Sequence, residues 1–182
     1  MTAEAQVAAI LQRDPTLAQA LPALAALHLP DAWIGAGAVR NPVFDHLHGL
    51  APQPLADIDV AWFDPGDASP ERDAAIEAEL RQRVPALPWS VRNQARMHGR
   101  NGHAAYAGAV HAIGHWVETA TAVAARLDER GGIEIAAPCG LDDLLGLVLR
   151  PVPAYQDRLD VFYARVAAKG WLRRWPRLTI RL

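Results

Sequence analysis

The stretch that most constrains the fold is residues 33–41, WIGAGAVRN, in which an apolar run breaks at two glycines. The run predicts a short buried strand, Gly35 and Gly37 predict a turn, and the residues that follow predict a helix. Such a turn lets backbone N–H groups approach an anion closely. The N-terminus of the helix contributes a partial positive charge to the same place. Arg40, in the first helical turn, could hold a phosphate. Glycines that merely allow close packing are the alternative.

The next predicted strand, residues 55–63, contains the sequence DIDV, with Asp57 and Asp59 one residue apart. In a strand these two side chains point to the same face, while Ile58 and Val60 point into the core. At ~4 Å their repulsion costs on the order of 4 kcal/mol at an effective dielectric of 20, so a metal ion, an arginine or solvent must compensate. Hard oxygen ligands favour Mg²⁺ or Mn²⁺ over Zn²⁺. A surface strand with two solvated aspartates is the alternative.

The two motifs together predict more than either does alone. A strand, a glycine turn and a helix, followed by a strand with D-x-D, would form a phosphate cradle that faces a metal site. We therefore expect a nucleotide's phosphates at Gly35 and Gly37, opposite Asp57 and Asp59.

The order of predicted elements is strand, helix, strand, helix, strand, then a hairpin and helices. This order predicts an α+β (mixed α/β) fold with one mixed sheet and helices packed on it. Short helices are expected at 3–13 and 15–27, and Pro42 should confine the start of its helix to the first turn. Further helices are expected at 140–150 and 154–170. We expect a single domain over 1–182, with a helical N-terminal segment (1–30), a core (31–150) and a C-terminal helix and tail (151–182).

Charge and cysteine content exclude several classes. The net charge of −2 does not support a generic nucleic-acid groove, so we expect no large nucleic-acid footprint. The single Cys139 excludes an intrachain disulfide and fits a reducing compartment, and we expect a cytoplasmic protein without a signal peptide or membrane partner. A basic C-terminal cluster is interpreted as a solvated helix end or tail, with a polyanion site as the alternative: Lys169, Arg173, Arg174, Arg177 and Arg181.

The motif IGAGAVRN followed by DIDV resembles the head of the polymerase-β-type nucleotidyltransferase superfamily. CCA-adding and poly(A) polymerase heads share its pattern of a G-G-x-V-R-D turn and then D-x-D. Residues 137–150, APCGLDDLLGLVLR, are similar to the proline–glycine–leucine–acidic–aspartate–leucine segment of those heads. The whole chain, with VRNQARMH, also resembles small stand-alone bacterial nucleotidyltransferase-like proteins of uncertain substrate. The resemblance implies a nucleotidyltransferase-type mixed sheet with flanking helices.

The resemblance also implies roles for individual residues. Asp57 and Asp59 match the catalytic metal ligands, Gly35 and Gly37 match the turn, and Arg40 matches the motif arginine. Ala36 and Asn41 fall inside the same nucleotide-binding motif, where they depart from the family pattern. Ala36 makes the turn G-A-G, and Asn41 replaces an aspartate.

A third departure concerns catalysis. Active relatives use a third acid on a neighbouring strand as base, but the strand WSVRN carries Ser90 and Arg92 and no acid. Glu134 and Glu118 are the substitutes, and Glu134 is taken as the candidate catalytic acid. Both are also compatible with ordinary surface positions.

Other polar residues remain open to two interpretations. Asn93 and Arg96 follow the third strand and could contact the triphosphate or base, or be ordinary turn residues. His98, His111 and His115 could bind a metal or be polar-core histidines. One of six tryptophans could stack on a base, although most should pack in the core.

These features predict a metal-dependent nucleotidyltransferase that moves a nucleoside monophosphate from a nucleoside triphosphate to an acceptor hydroxyl. The missing third acid favours the alternative of a non-catalytic nucleotide-binding or regulatory module. A third reading is an oligomerising structural protein with vestigial motifs. Because the chain lacks the long helical body of tRNA-handling relatives, we expect a small-molecule or protein acceptor.

Overall fold

The structure, a computed structural model, describes residues 1–182 and is built on one mixed sheet. The strands are β1 (Trp33–Gly35), β2 (Ile58–Trp62), β3 (Trp89–Asn93), β4 (Ala124–Leu127) and β5 (Ile133–Ala136). They lie in the order β3-β2-β1-β4-β5. β2 and β3 are parallel, and the other neighbours are antiparallel. This confirms the predicted mixed sheet, including the β4–β5 hairpin.

Helices precede, connect and follow these strands. They are α1 (Ala3–Leu11), α2 (Leu17–Ala25), α3 (Gly37–His48), α4 (Pro70–Arg83), α5 (Met97–Asn101), α6 (Ala109–Ile113), α7 (Asp142–Leu145), α8 (Leu159–Lys169) and α9 (Trp171–Arg174). A 3-10 turn, Pro153–Tyr155, precedes α8. Two short strands, β6 (Val148–Leu149) and β7 (Thr179–Ile180), form a separate parallel pair.

Both faces of the five-stranded sheet are covered. Ile58, Val60 and Trp62 belong to the main apolar core, which extends along the chain from α1 to the segment after α9. Ala61 belongs to a smaller apolar cluster with α6 and the 3-10 turn. Because successive strand residues alternate between faces, Asp59 points to the same side of β2 as Ala61. The strand pattern thus places Asp59 on the less densely covered face.

Local sequence signals explain several element boundaries. Ser69 caps α4 by accepting a 3.2 Å hydrogen bond from the backbone N–H of Arg72, with Pro70 at the first helical position. Gly49 ends α3 in the left-handed conformation, with φ 67°. The β4–β5 turn closes on Asp128, whose carboxylate accepts from two backbone N–H groups.

Three helix predictions need correction. Pro42 was expected to lie in the first turn of its helix, but α3 begins at Gly37 and places Pro42 in the second turn. The helix tolerates the loss of the one backbone hydrogen bond that proline cannot donate. Of the helix expected at 140–150, only the short α7 forms. It ends before Gly146, and Leu147, which has φ 58°, turns the chain into β6. The helix expected from residue 154 begins at Leu159, after the 3-10 turn.

The helices are short. None has both the length and the apolar composition needed to cross a membrane.

Candidate functional site

The two aspartates of DIDV lie at the start of β2, beside the glycine turn. Asp57 directly precedes the strand, and Asp59 is its second residue. In the sheet register Asp59 is opposite Gly35 of β1 on one side and beside Ser90 of β3 on the other. The strand pairing therefore brings the D-x-D motif and the turn together.

The aspartates have no direct ion-pair partner within the chain. Neither carboxylate takes part in a side-chain hydrogen bond or an ion pair, although Arg40, Arg165 and Lys169 are close enough to act on Asp59 electrostatically. Burial, and secondly the charge of Asp57, raise the pKa of Asp59 to about 6. A cation bound between them would relieve both effects.

The chain supplies only part of a metal's coordination shell. No group of three or more His, Cys, Asp or Glu side chains is placed to hold a metal ion. Mg²⁺ is commonly bound by one or two carboxylates, with substrate phosphates and water as the remaining ligands. Asp57 and Asp59 fit that pattern, provided that a phosphate-bearing ligand completes the shell.

The three residues of the turn between β1 and α3 differ in strain and in the room around them. Ala36 has φ 52° and ψ −124°, a conformation that side chains rarely adopt. A Cβ on Gly35 would lie 2.6 Å from Cη2 of Trp116, so that glycine is required by packing. The side-chain atoms nearest to a Cβ on Gly37 would be those of Arg40 and Asn41, at 3.7 Å. A Cβ would therefore fit at Gly37 in ordinary contact with Arg40 and Asn41, so packing does not require this glycine.

Arg40 is a buried cation held by neutral groups. It is 5% exposed and donates 2.8 Å hydrogen bonds to Oγ1 of Thr121 and Oδ1 of Asn41. Its guanidinium also lies 4.2 Å from the centre of the Trp171 ring. It forms no ion pair, and burial lowers its pKa to about 10. A buried charge of this kind is stabilised by a bound anion.

The turn, the aspartates and the C-terminal helices enclose a cavity of about 430 Å³, which we call the α8 cavity. It carries more positive than negative side chains, because Arg40 is joined by three cations of α8 and α9. Its lining is Ala36, Gly37, Arg40, Asn41, Gln53, Pro54, Leu55, Ala56, Asp57, Asp59, Arg165, Lys169, Trp171, Arg174 and Trp175. A polyanion would be attracted to this surface.

A second cavity of about 260 Å³, the β3 cavity, adjoins the first. Ala36, Asp59 and Arg165 line both cavities. The remaining lining residues are Val60, Ala61, Ser90, Arg92, Gln94, Met97, Asn101, His115, Trp116, Val117, Thr121 and Tyr155. Asp59 therefore lies at the junction of two spaces.

Glu118 is buried behind this junction. It is fully buried, and Oε1 lies 2.9 Å from Nε of Arg165, in an ion pair that is not aligned as a hydrogen bond. Its carbonyl oxygen accepts from the backbone N–H of Thr121, the residue that also accepts from Arg40. Glu118 thus orients Arg165 toward the two cavities.

Three residues expected at the site lie elsewhere. Glu134 is on β5, where it forms a 2.7 Å ion pair with Arg126 and lines a different cavity. Asn93 is fully buried, and its side chain bonds to backbone atoms of the loop after β2. Arg96 pairs with Asp73 at the opposite edge of β3. The structure does not bring these three to the aspartates, because local ion pairs and hydrogen bonds hold each in place.

Other residues lie at the site that sequence reasoning missed. The basic C-terminal cluster predicts a solvated helix end or tail, with a polyanion site as the alternative, and the position of Lys169 and Arg174 in the α8 cavity favours that alternative. Arg165 and Lys169 are four residues apart and so share a face of α8, which is the signal that could have identified them. The histidines do not form a metal group; His115 packs 4.9 Å from the His111 ring and 5.1 Å from the His103 ring.

Comparisons with known proteins agree with this geometry. A family model described as Nucleotidyltransferase matches residues 22–180. A protein whose NMR structure is described as a CCA-adding enzyme head domain is 32% identical, with a TM-score of 0.85 over 97% of this chain and 95% of that one. No curated protein matches the chain.

More distant structures share the fold. The Thermotoga maritima CCA-adding enzyme complexed with tRNA is 16% identical, with a TM-score of 0.60 over 97% of this chain and 42% of that one. A CCA-adding enzyme complexed with CTP is 15% identical, with a TM-score of 0.53 over 96% and 49%. This chain spans less than half the length of those two enzymes.

The family model covers most of the chain, and the 32% identical relative matches it almost from end to end. The chain therefore belongs to the nucleotidyltransferase family, and it is a nucleotidyltransferase of the polymerase-β-type superfamily.

Proposed function

We propose that this nucleotidyltransferase moves a nucleoside monophosphate from a nucleoside triphosphate to an acceptor hydroxyl in a metal-dependent reaction. One observation carries the proposal. Two aspartates without partners and a buried arginine without a carboxylate partner line the same cavity of about 430 Å³. The phosphates of a nucleoside triphosphate would pair with the arginine, and the cation bound to them would pair with the two aspartates.

The triphosphate would bind across the α8 cavity. The absence of a side chain at Gly37 lets a phosphate oxygen approach the start of α3, where backbone N–H groups and the helix dipole favour negative charge. Arg40 and Lys169 then neutralise the phosphates. A CCA-adding enzyme of the same fold has been solved with CTP, which supports a nucleoside triphosphate as the donor here.

Asp57 and Asp59 would hold Mg²⁺ or Mn²⁺ together with oxygens of the triphosphate. When bound, such an ion neutralises phosphate charge and lowers the pKa of the attacking hydroxyl. Ionised Asp59 is disfavoured without a cation, because burial and Asp57 raise its pKa to about 6. The two carboxylates are therefore arranged to bind a cation rather than to stand alone.

The chain's own residues stabilise charge during the transfer. The hydroxyl oxygen forms a bond to the α-phosphorus, the bond from that phosphorus to pyrophosphate breaks, and the hydroxyl proton passes to water. Negative charge grows on the leaving pyrophosphate, which fixed cations such as Arg40 and Lys169 stabilise. Arg165 lines both cavities, so it can contact the group in transit.

A regulatory, non-catalytic nucleotide-binding module is the second candidate. It is favoured by Ser90, which occupies the position beside Asp59 on β3 where active relatives are expected to carry a third acid. Glu118 does not replace that acid in the open site, since it is fully buried against Arg165.

Pyrophosphate release separates the two candidates. The full chain would be incubated with Mg²⁺, each ribonucleoside triphosphate and a filtered cell extract as the acceptor source. Asp57→Asn is the test variant, and Asp157→Asn, an exposed aspartate without a side-chain partner, is the matched control. We expect multiple turnovers by the wild type and by Asp157→Asn, and none by Asp57→Asn. Nucleotide binding without pyrophosphate release would indicate the regulatory module.

A further inference from the structure

The β3 cavity has a position, a charge and a size that suit a second substrate. We propose that it is the acceptor site and that it takes a small hydroxyl compound carrying an anionic group, such as a phosphate or a carboxylate. This inference rests on the proposed function, because it assigns the acceptor of that same reaction.

The position of the cavity suits an acceptor. The β3 cavity meets the α8 cavity at Ala36, Asp59 and Arg165, which line both. A hydroxyl group in the β3 cavity can therefore reach a phosphorus atom that is held in the α8 cavity beside Asp59. Proximity of this kind is what a transfer between two bound substrates requires.

The charge of the cavity selects an anion. Arg92 is half-exposed. Its Nη1 donates a 2.5 Å hydrogen bond to the carbonyl oxygen of Val91 and lies 3.9 Å from a carboxylate oxygen of Glu77, while Nε and Nη2 donate no hydrogen bond within the chain. Nε of Arg165 lies 2.9 Å from Oε1 of Glu118, and none of the three guanidinium nitrogens of Arg165 donates a hydrogen bond within the chain. The only carboxylate in the lining is Asp59, which the proposed metal would neutralise. Two guanidinium groups thus face the cavity, and guanidinium groups bind phosphates and carboxylates in bidentate fashion.

The size and walls of the cavity select a small compound. Its volume of about 260 Å³ is smaller than that of the α8 cavity and lies below the range of roughly 300–1,000 Å³ typical of drug-sized ligands. One wall is fixed, because the Trp116 ring packs against Gly35. His115 directs Nδ1 at the carbonyl oxygen of His111, 2.9 Å away, which leaves Nε2 free to bond a hydroxyl group.

Binding of defined probes tests the inference on the full chain. The ¹⁵N-labelled protein, with Mg²⁺ and a non-hydrolysable nucleoside triphosphate analogue, would be titrated with glycerol 3-phosphate, glycerate, glycerol or a short RNA with a free 3′ hydroxyl. The NMR signals of the Trp116 indole and the Ser90 amide report on the β3 cavity, and that of the Gly37 amide reports on the α8 cavity. Arg92→Gln is the test variant. Arg13→Gln removes the same charge from an exposed position outside both cavities.

We expect glycerol 3-phosphate or glycerate to shift the Trp116 and Ser90 signals saturably, and glycerol to shift neither. Arg92→Gln should weaken that binding about tenfold through loss of charge-assisted hydrogen bonds, whereas Arg13→Gln should not. The inference is overturned if neither anionic probe binds, if glycerol binds as well as they do, or if only the RNA shifts these signals. The Gly37 signal tests the proposed function separately, because binding of the triphosphate analogue should shift it whether or not an acceptor is present.

Discussion

Gly35 lies directly opposite Asp59 in the antiparallel register of β1 and β2. The ring of Trp116 covers the face of Gly35 to which the Asp59 side chain also points, and it leaves no room for a Cβ. Gly35 thus pairs with the strand residue that carries the carboxylate, and it leaves the room in which Trp116 forms a wall of the β3 cavity. The arrangement of both cavities depends on this pair, and it leads to specific predictions.

Alanine at the two turn glycines should have opposite effects on stability. Gly35→Ala places a Cβ 2.6 Å from Trp116, so we expect the free energy of unfolding to fall by about 1–3 kcal/mol. Gly37→Ala meets no atom closer than 3.7 Å and should raise that free energy by about 0.4–1 kcal/mol, but weaken triphosphate binding by filling the phosphate space. Urea unfolding and nucleotide titration measure the two effects. Unchanged nucleotide affinity in Gly37→Ala would contradict the proposed phosphate position.

Ala36→Gly should stabilise the protein. The φ of 52° and ψ of −124° at Ala36 are strained for alanine, at a cost on the order of 1–3 kcal/mol. Glycine removes that strain but adds about 0.4–1 kcal/mol of unfolded-chain entropy. We expect a net gain of about 1 kcal/mol in urea unfolding. A loss of stability would show that the turn is not strained at this residue.

The stability of the metal-free protein should depend on pH through Asp59. Its pKa is raised from 3.8 to about 6, so the folded state binds this proton more tightly than the unfolded chain does. The contribution is fully present below the unfolded value and is lost as the pH rises through about 6. In a chelator, Asp59→Asn should therefore gain in melting temperature relative to the wild type as the pH increases. A difference in melting temperature between the two proteins that stays constant as the pH rises through about 6 would argue against the raised pKa of Asp59.

Arg165 and Glu118 should be strongly coupled. Arg165→Gln leaves the buried carboxylate of Glu118 without a counter-ion, and we expect a loss of about 3 kcal/mol in the free energy of unfolding. Glu118→Gln added to that variant should recover much of the loss, because the buried carboxylate that lost its partner is then replaced by a neutral amide. A double-mutant cycle in urea measures the coupling. Additive effects would show that the two side chains do not stabilise one another.

Much of the sheet could be predicted from sequence because its signals are local. The apolar run before Gly35, the alternation in β2 and the turn at Asp128 each determine an element within a few residues. The helix expected at 140–150 was wrong, because a positive φ at Leu147 and the distant partner strand β7 decide that segment. Pairing across the chain has no local signature.

The site was predictable only in part for the same reason. The D-x-D motif and the glycine motif are each a short continuous stretch of sequence, so both can be recognised locally. The structure brings Asp57, Asp59 and Arg40 to one cavity. The cations of α8 and α9 come from the far end of the chain, and nothing near the motifs indicates that these helices fold back over them. Glu134 illustrates the converse, since a plausible acid can be held elsewhere by a local ion pair with Arg126.

The most direct test of the central claim is the melting temperature of the full chain with each ribonucleoside triphosphate, with and without Mg²⁺, for wild type, Asp57→Asn and Asp157→Asn. A ligand at about a hundred times its Kd adds ~2.7 kcal/mol of stability. We predict a Mg²⁺-dependent rise in the wild type and in Asp157→Asn that Asp57→Asn loses. An equal rise in all three proteins, or no rise with any nucleotide, would contradict a metal–nucleotide site at Asp57 and Asp59.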